Sequence, residues 1–369
     1  MSNMEGEYFD QNKFHTILTE DADVYTEDGK LLLKFRKNVI PKILTDLALE
    51  SYRTQAKVKH NNRGASAGVL DPKKLQNYVS KLYHADQLYS PSKFRTRYFK
   101  PDGTPSKSSV SNLAPSNIAG YFDVKNTRSG GDKSTTSTKV KTLSSVTSPS
   151  VAATSKGGSK GGEVHPPCRL TSFTRDHKEL WSQSIPFLQM CDLLFRELIP
   201  ENHHLQWIKA QLTPDYAISD TAFSTVTLNY SWRTALHQDA GDCMEGFGNL
   251  IVIEDTKNPN HYQGCYTGFP QYGVACDART GDFLAMDVHQ WHCNTEFISD
   301  MTDNVEVYSR RKSIKDTSSN LMANDWHYNR LSIVCYLRDK MINCKTSTTT
   351  DRDIKKLNQK YNELFNVHV

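Results

Sequence analysis

The chain has 369 residues, of which 37% are hydrophobic and 10% aromatic, and its 45 basic and 41 acidic side chains leave a net charge of +4. That length suggests two domains or one large domain with insertions, and the modest apolar share suggests a polar segment diluting a normal core. The near balance of charge excludes a polybasic or histone-like protein and leaves nucleic-acid binding only to a local patch.

No apolar run approaches the roughly 18 residues that a membrane span needs. The N-terminal MSNMEGEYFDQNKF lacks the basic-then-apolar order of a signal peptide. A soluble, intracellular protein is the expectation. Eight cysteines are scattered without a CxxC pair, which argues against a zinc ribbon or a disulfide scaffold and for buried free thiols.

In chain order, residues 1–39 form an N-terminal extension. IPKILTDLALESYRTQ (40–55) and DPKKLQNYVSKLYHADQLY (71–89) have helical spacing with Pro near the first turn, and the Gly-rich loop NNRGASAG (61–68) lies between them. Composition shifts at 124–162, a Ser/Thr/Gly/Lys-rich stretch too poor in apolar groups to offset its ordering entropy, so a disordered insertion is expected there. RDHKELWSQSIPFLQMCDLLFRELIP (175–200) is one or two amphipathic helices, with a break or new start forced by Pro186. From about 222 the period becomes that of short strands: FSTVTLNY, LIVIE, GCYTGF, FLAMDV and LSIVCYL, separated by Gly, Pro and Asn. DIKKLNQKYNELF (353–365) closes the chain as a helix. The pattern predicts an α+β protein, with helices packed around a sandwich or barrel of strands.

Three elements carry chemistry. First comes His237-Gln238-Asp239, where residues i and i+2 of a strand share a face and can grip one metal ion. A control is His84-Ala85-Asp86, where a helical pattern sends the two side chains apart. The second is GDFLAMDVHQWHCNTE (281–296), which offers His289 and His292, the former better suited to a structural role. Two His and one Asp on one facial arrangement are the ligand set of non-haem Fe(II) oxygenases. The third is Arg330-Leu331-Ser332, whose guanidinium and hydroxyl share a strand face and suit a buried carboxylate, such as the distal end of 2-oxoglutarate.

The run from FSTVTLNYSWRTALHQDAGD through GDFLAMDVHQWHCNTE to NRLSIVCYLRDKM resembles the catalytic core of the TET/JBP family of nucleobase oxygenases. NNRGASAG, SNIAGYFD (116–123) and PPCRLTSFTRDHKELW (166–181) resemble its N-terminal half. The resemblance is to the JBP-like and algal or viral branch, and it implies a dioxygenase domain over 40–342, interrupted at 124–162, with 343–369 as a C-terminal helix. The implied fold is α+β, a double-stranded β-helix (jelly-roll) core with flanking helices. The implied iron ligands are His237, Asp239 and His292, and the implied 2-oxoglutarate anchor is Arg330 helped by Ser332. His292 and Arg330 are further apart than in the family, so 297–328, with Arg310, Arg311 and Lys312, looks like an inserted loop.

The implied reaction is Fe(II)-, 2-oxoglutarate- and O2-dependent hydroxylation of the C5-methyl group of thymine or 5-methylcytosine in DNA. One branch uses ascorbate, which stays open as a reactant. The base has to leave the stack to reach the iron. Asn62, Arg63, Tyr121, Phe122, Arg169 and Asp242 are the candidate substrate contacts. The implied partner is DNA, the implied state a monomer, and the implied compartment the nucleus in a eukaryote. Two rival readings remain: the same iron chemistry on a protein side chain or metabolite, or a DNA-binding relative that has lost catalysis. A cupin-like zinc protein would leave Arg330 and Ser332 unexplained.

Overall fold

The computed structural model describes residues 1–70, 88–100, 102–107, 109–123, 168–256, 262–299, 328–344 and 351–365. Its first half contains strands β1 (Thr16–Leu18), β2 (Ala22–Tyr25) and β3 (Leu31–Arg36), helix α1 (Lys42–Ala56), hairpin β4 (Leu88–Ser92) and β5 (Arg95–Tyr98), and strands β6 (Ser116–Asp123) and β7 (Cys168–Leu170). Helices α2 (Ser172–Asp176), α3 (Lys178–Leu198) and α4 (Pro200–Gln211) follow. Then come β8 (Thr225–Tyr230), β9 (Gly248–Thr256), β10 (Tyr262–Gly264), β11 (Thr267–Phe269), β12 (Val274–Cys276) and β13 (Phe283–Met286). The last elements are β14 (Cys293–Asn294), β15 (Phe297–Ser299), β16 (Tyr328–Tyr336) and α5 (Asp351–Phe365).

Eight strands form the main sheet in the order β2-β3-β13-β9-β16-β8-β6-β7, and every pairing in it is antiparallel. A second sheet has the order β1-β12-β11-β14, and β10 pairs with β15 alone. The architecture is a mixed α and β one built on antiparallel sheets.

Alternation along the strands explains the layers. Leu331, Ile333 and Cys335 of β16, Val226 and Leu228 of β8, Ile251 and Ile253 of β9, and Phe283 of β13 face a core shared with Tyr52 of α1 and Phe187, Leu188, Cys191 and Phe195 of α3. Their neighbours Leu250, Val252, Leu284 and Met286 point the other way and meet Phe269, Val274 and Cys276 of the second sheet. The polar positions of that second face, near β8 and β16, are where a site can open.

Several expectations need correction. Helix α3 runs unbroken through Pro186. The lost backbone hydrogen bond costs about 3 kcal/mol, and burial of the apolar stripe on both sides of the proline outweighs it. Residues 1–39 are no appendage: β3 pairs with β13 inside the main sheet and β1 with β12 in the second. GCYTGF splits into β10 and β11, because Gly264 (φ 81°) and Cys265 (φ 53°) turn the chain between two sheets. Cys168 and Cys344 form a disulfide with Cα atoms 5.7 Å apart, while the other six cysteines are free and buried. A contact across 176 residues leaves no local spacing to read.

The expected helix 71–89 lies outside the described residues except for its last two, which begin β4. The 124–162 insertion, residues 300–327 and His84-Ala85-Asp86 also lie outside them. The closing helix is α5, held by Tyr361, whose hydroxyl is 2.8 Å from Nδ1 of the buried His203. No helix among the described residues is long and apolar enough to cross a membrane.

Candidate active site

His237 and Asp239 lie on no regular strand; the chain from Ser231 to Gly241 is irregular, and His237 makes a single antiparallel bridge to His292. This corrects the strand-face argument while preserving its outcome. The His237 N–H donates to the His292 carbonyl at 3.0 Å, and the His292 N–H returns to the His237 carbonyl at 2.9 Å. Asp239 is tied down next to them by its own N–H, which donates to the Val288 carbonyl at 3.0 Å. One potential ligand atom from each of His237, Asp239 and His292 lies within 4.8 Å of the other two. Each histidine Nε2 is 3.8 Å from a different oxygen of Asp239.

The donor chemistry fits a divalent cation. His237 Nδ1 is 2.8 Å from the Ala235 carbonyl and His292 Nδ1 is 2.9 Å from the Gln290 carbonyl. A carbonyl only accepts, so the proton of each ring sits on Nδ1 and each Nε2 lone pair is free for a metal. Burial, with the neighbouring His292, holds the His237 imidazole down at about 4, which keeps it in the neutral, ligating form. Atoms 3.8 Å apart can both touch an ion about 2 Å from each. Among the described residues this is the one group of three or more His, Cys, Asp or Glu placed to hold a metal.

The triad opens into a cavity whose opposite wall is one face of β16: Ser332, Val334, Tyr336 and, just past the strand, Arg338. Thr227 and Asn229 of β8 and Ser116 of β6 extend that wall across the sheet. Arg330 continues the same stripe beyond Ser332. It is only 5% exposed, its Nη1 donates to the Cys265 carbonyl at 2.6 Å, and it makes no ion pair among the described residues. A buried cation without a counter-ion costs several kcal/mol, so this position calls for an anion.

Of the expected substrate contacts, Arg63 and Asp242 line the cavity. Burial, with the charge of Asp239 nearby, pushes the Asp242 carboxyl well above its usual range. Asn62 is next to Arg63 but off the wall. Tyr121, Phe122 and Arg169 are elsewhere: Tyr121 packs edge-on against Tyr216, and the Arg169 guanidinium lies 5.1 Å from the Phe122 ring centre across the β6–β7 pair. None of the three lines this cavity. His289 stands outside the metal-capable group, with its Nε2 3.3 Å from the Cys243 carbonyl.

The sequence reading missed Ser66, Trp232, Asn229, Tyr336 and Arg338, all on the cavity wall. Extending the i, i+2 rule from Arg330 and Ser332 along β16 would have found Tyr336 and Arg338. Arg338 is ion-paired with the buried Asp123 at the end of β6.

Residues 157–339 match the family profile described as the Tet_JBP oxygenase domain of the 2OGFeDO superfamily. The chain carries a Tet_JBP oxygenase domain. That superfamily uses Fe(II), 2-oxoglutarate and O2, which agrees with the triad and the lone buried arginine. The chain is 36% identical over 171 residues to the bifunctional helicase and thymine dioxygenase JBP2 of Leishmania tarentolae, covering 46% of this chain and 13% of that protein. It is 32% identical over 196 residues to JBP2 of Trypanosoma brucei brucei, covering 52% of this chain and 15% of that protein. It is also 34% identical over 140 residues to the thymine dioxygenase JBP1 of Trypanosoma brucei brucei, covering 37% and 16%. The match thus spans about one-seventh of the length of these relatives. A solved structure of NgTET1 in complex with 5mC DNA aligns with a TM-score of 0.43 and 9% identity, covering 96% of this chain and 88% of that one.

Proposed function

We propose that this Tet_JBP domain hydroxylates the C5-methyl group of a pyrimidine flipped out of DNA. Thymine is the first base to test, because the curated relatives are named thymine dioxygenases; 5-methylcytosine is the second. The observation that carries the reading is a His-Asp-His triad at a cavity walled by one face of β16, the strand that also carries Arg330, a buried arginine with no ion pair among the described residues. We read the two facing sheets as a double-stranded β-helix core, with residues 40–342 as the dioxygenase domain. The β3–β13 pairing argues for including 22–36 in the same unit.

Iron and 2-oxoglutarate, when bound, would activate O2, one oxygen atom passing into the methyl C–H bond as an alcohol and the other into succinate as the keto acid loses CO2. The chain's residues do the rest. His237, Asp239 and His292 would hold the metal through two neutral imidazoles and one carboxylate, leaving the remaining coordination positions open. Arg330, with Ser332, would bind the distal carboxylate and so orient the keto acid. Asp242, Tyr336 and Arg338 line the far end of the wall, where polar groups can meet the edge of a flipped base.

A nearly neutral chain needs a local basic patch to hold DNA. Exposed Lys59, Lys93, Arg95, Lys100 and Lys107 lie in the segments that precede and follow Arg63, which is on the cavity wall. That loop is stitched to the β4–β5 hairpin, since the Leu70 N–H donates to the Lys93 carbonyl at 2.7 Å. Asp102 is the sole acid among the described residues from 57 to 107. The deciding experiment is anaerobic loading with Fe(II) and 2-oxoglutarate, then air and thymine-only or 5-methylcytosine-containing duplex, with nucleosides read by mass spectrometry. Gain of one oxygen on one base, with matching succinate, supports the reading. Succinate without a modified nucleoside moves the substrate away from DNA.

A further inference from the structure

We propose that Tyr262 completes the anchor for the distal carboxylate of 2-oxoglutarate, its hydroxyl donating beside the Arg330 guanidinium. This rests on the proposed function and adds a residue to it. Tyr262 is one of the largest fully enclosed side chains, yet its hydroxyl has no hydrogen-bond partner among the described residues. A buried hydroxyl left unsatisfied is costly, and such groups call for an explanation.

Its surroundings supply one. Tyr262 packs with Cys265 and Phe297, and Cys265 is the residue whose carbonyl receives the Arg330 guanidinium at 2.6 Å. The ring is clamped, with Phe297 stacked at 4.8 Å on centroids and the Arg279 guanidinium 3.9 Å from its centre. The hydroxyl therefore has little freedom to turn toward another partner. Cys265 itself is held at φ 53°, a left-handed conformation that a non-glycine residue keeps only where its surroundings impose it.

Charge accounting points the same way. Arg279 is neutralised by Asp277, at 2.6 Å, and by Glu254, at 3.6 Å. Arg330 has no such partner among the described residues. The site thus offers one uncompensated positive charge and one neutral donor, which is what a single carboxylate with two oxygens requires. Burial pushes the Tyr262 hydroxyl up to about 12, against the opposing pull of Arg330 and Arg279, so it remains a donor at neutral pH.

The test is a thermodynamic cycle on the full chain loaded anaerobically with Fe(II). Wild type and Tyr262→Phe are titrated with 2-oxoglutarate and with 2-oxopentanoate, which keeps the keto acid but lacks the distal carboxylate. Binding is read from the metal-to-ligand charge-transfer absorbance and from the ligand-induced rise in Tm. Tyr262→Phe is expected to weaken 2-oxoglutarate about tenfold or more and to leave 2-oxopentanoate unchanged. The ligand-free variant should melt no lower than wild type, because the hydroxyl it loses has no hydrogen-bond partner among the described residues. Equal affinity of both proteins for 2-oxoglutarate, an equal loss on both ligands, or a variant that does not fold would each overturn the proposal. Wild-type protein that binds no 2-oxoglutarate would instead remove the proposed function, a result distinct from a silent Tyr262.

Discussion

His237 and His292 exchange two backbone hydrogen bonds, at 3.0 and 2.9 Å, although 55 positions separate them in the chain. This narrow pair is what brings two imidazoles to one point: their ring centres are 4.3 Å apart, and each ring is oriented by a carbonyl two residues before it. Neither histidine sits on a regular strand on its own account. Each holds the other's backbone in place.

The first prediction concerns the acid between them. Asp239→Ala removes the one anionic donor of the triad, and two neutral imidazoles hold Fe(II) poorly. Iron retained after dialysis should fall by roughly a hundredfold in affinity, with loss of turnover. Full iron content in Asp239→Ala, measured by atomic absorption, would discard the triad. Tm without metal should change by little, since the Asp239 side chain is 40% exposed.

A second prediction tests the sheet beneath the cavity. Gly120 in β6 has φ 84°, and a Cβ added there would stand 2.5 Å from the Ser224 backbone oxygen. A backbone atom cannot swing aside as a side chain can. Gly120→Ala should lower unfolding free energy by about 2 kcal/mol or more in a urea titration. A midpoint unchanged from wild type would show that the strand relaxes freely.

The Asp123–Arg338 pair is the third. Asp123 is nearly enclosed, with 4% of its side chain exposed, so Arg338→Met strands a buried carboxylate. The expected loss is about 3 kcal/mol of stability. The double variant Asp123→Asn/Arg338→Met should recover part of it, because the stranded charge goes with its partner. A double variant as unstable as the sum of the two single changes would mean that the two side chains act independently.

Fourth, the basic rim should be visible in the salt dependence of DNA binding. Arg95→Ala combined with Lys100→Ala should weaken duplex affinity to a similar extent for every sequence, and lower the slope of log K against log salt by about 2. Fluorescence anisotropy over a salt series measures this. Weakening confined to one sequence would assign those side chains to base contact.

Much of this site was legible before any fold was known. His237 with Asp239, and Arg330 with Ser332, form short patterns whose chemistry depends on residue type and local spacing, while the choice of His292 came from the family resemblance. Tyr121, Phe122 and Arg169 stand off the cavity wall, which no local pattern reveals: aromatic and basic side chains suit a base platform and a packed sheet edge equally well. Only the fold shows that Phe122 meets Arg169 across the β6–β7 pair, while Tyr121 packs against Tyr216.

By itself, the sequence determined element type wherever periodicity was strong, in α1, α3, α5, β8, β9 and β16, because burial of one face imposes 3.6-residue or two-residue spacing on the chain. It also determined the donor chemistry of the metal site. Tertiary structure alone decided that residues 22–36 enter the main sheet, that Cys168 meets Cys344, and that α3 passes straight through Pro186. It alone brought Tyr262 beside the loop that holds Arg330. Each of these depends on pairings between distant segments, and such pairings are selected by the total surface buried when the layers close, a quantity that no local window of sequence contains.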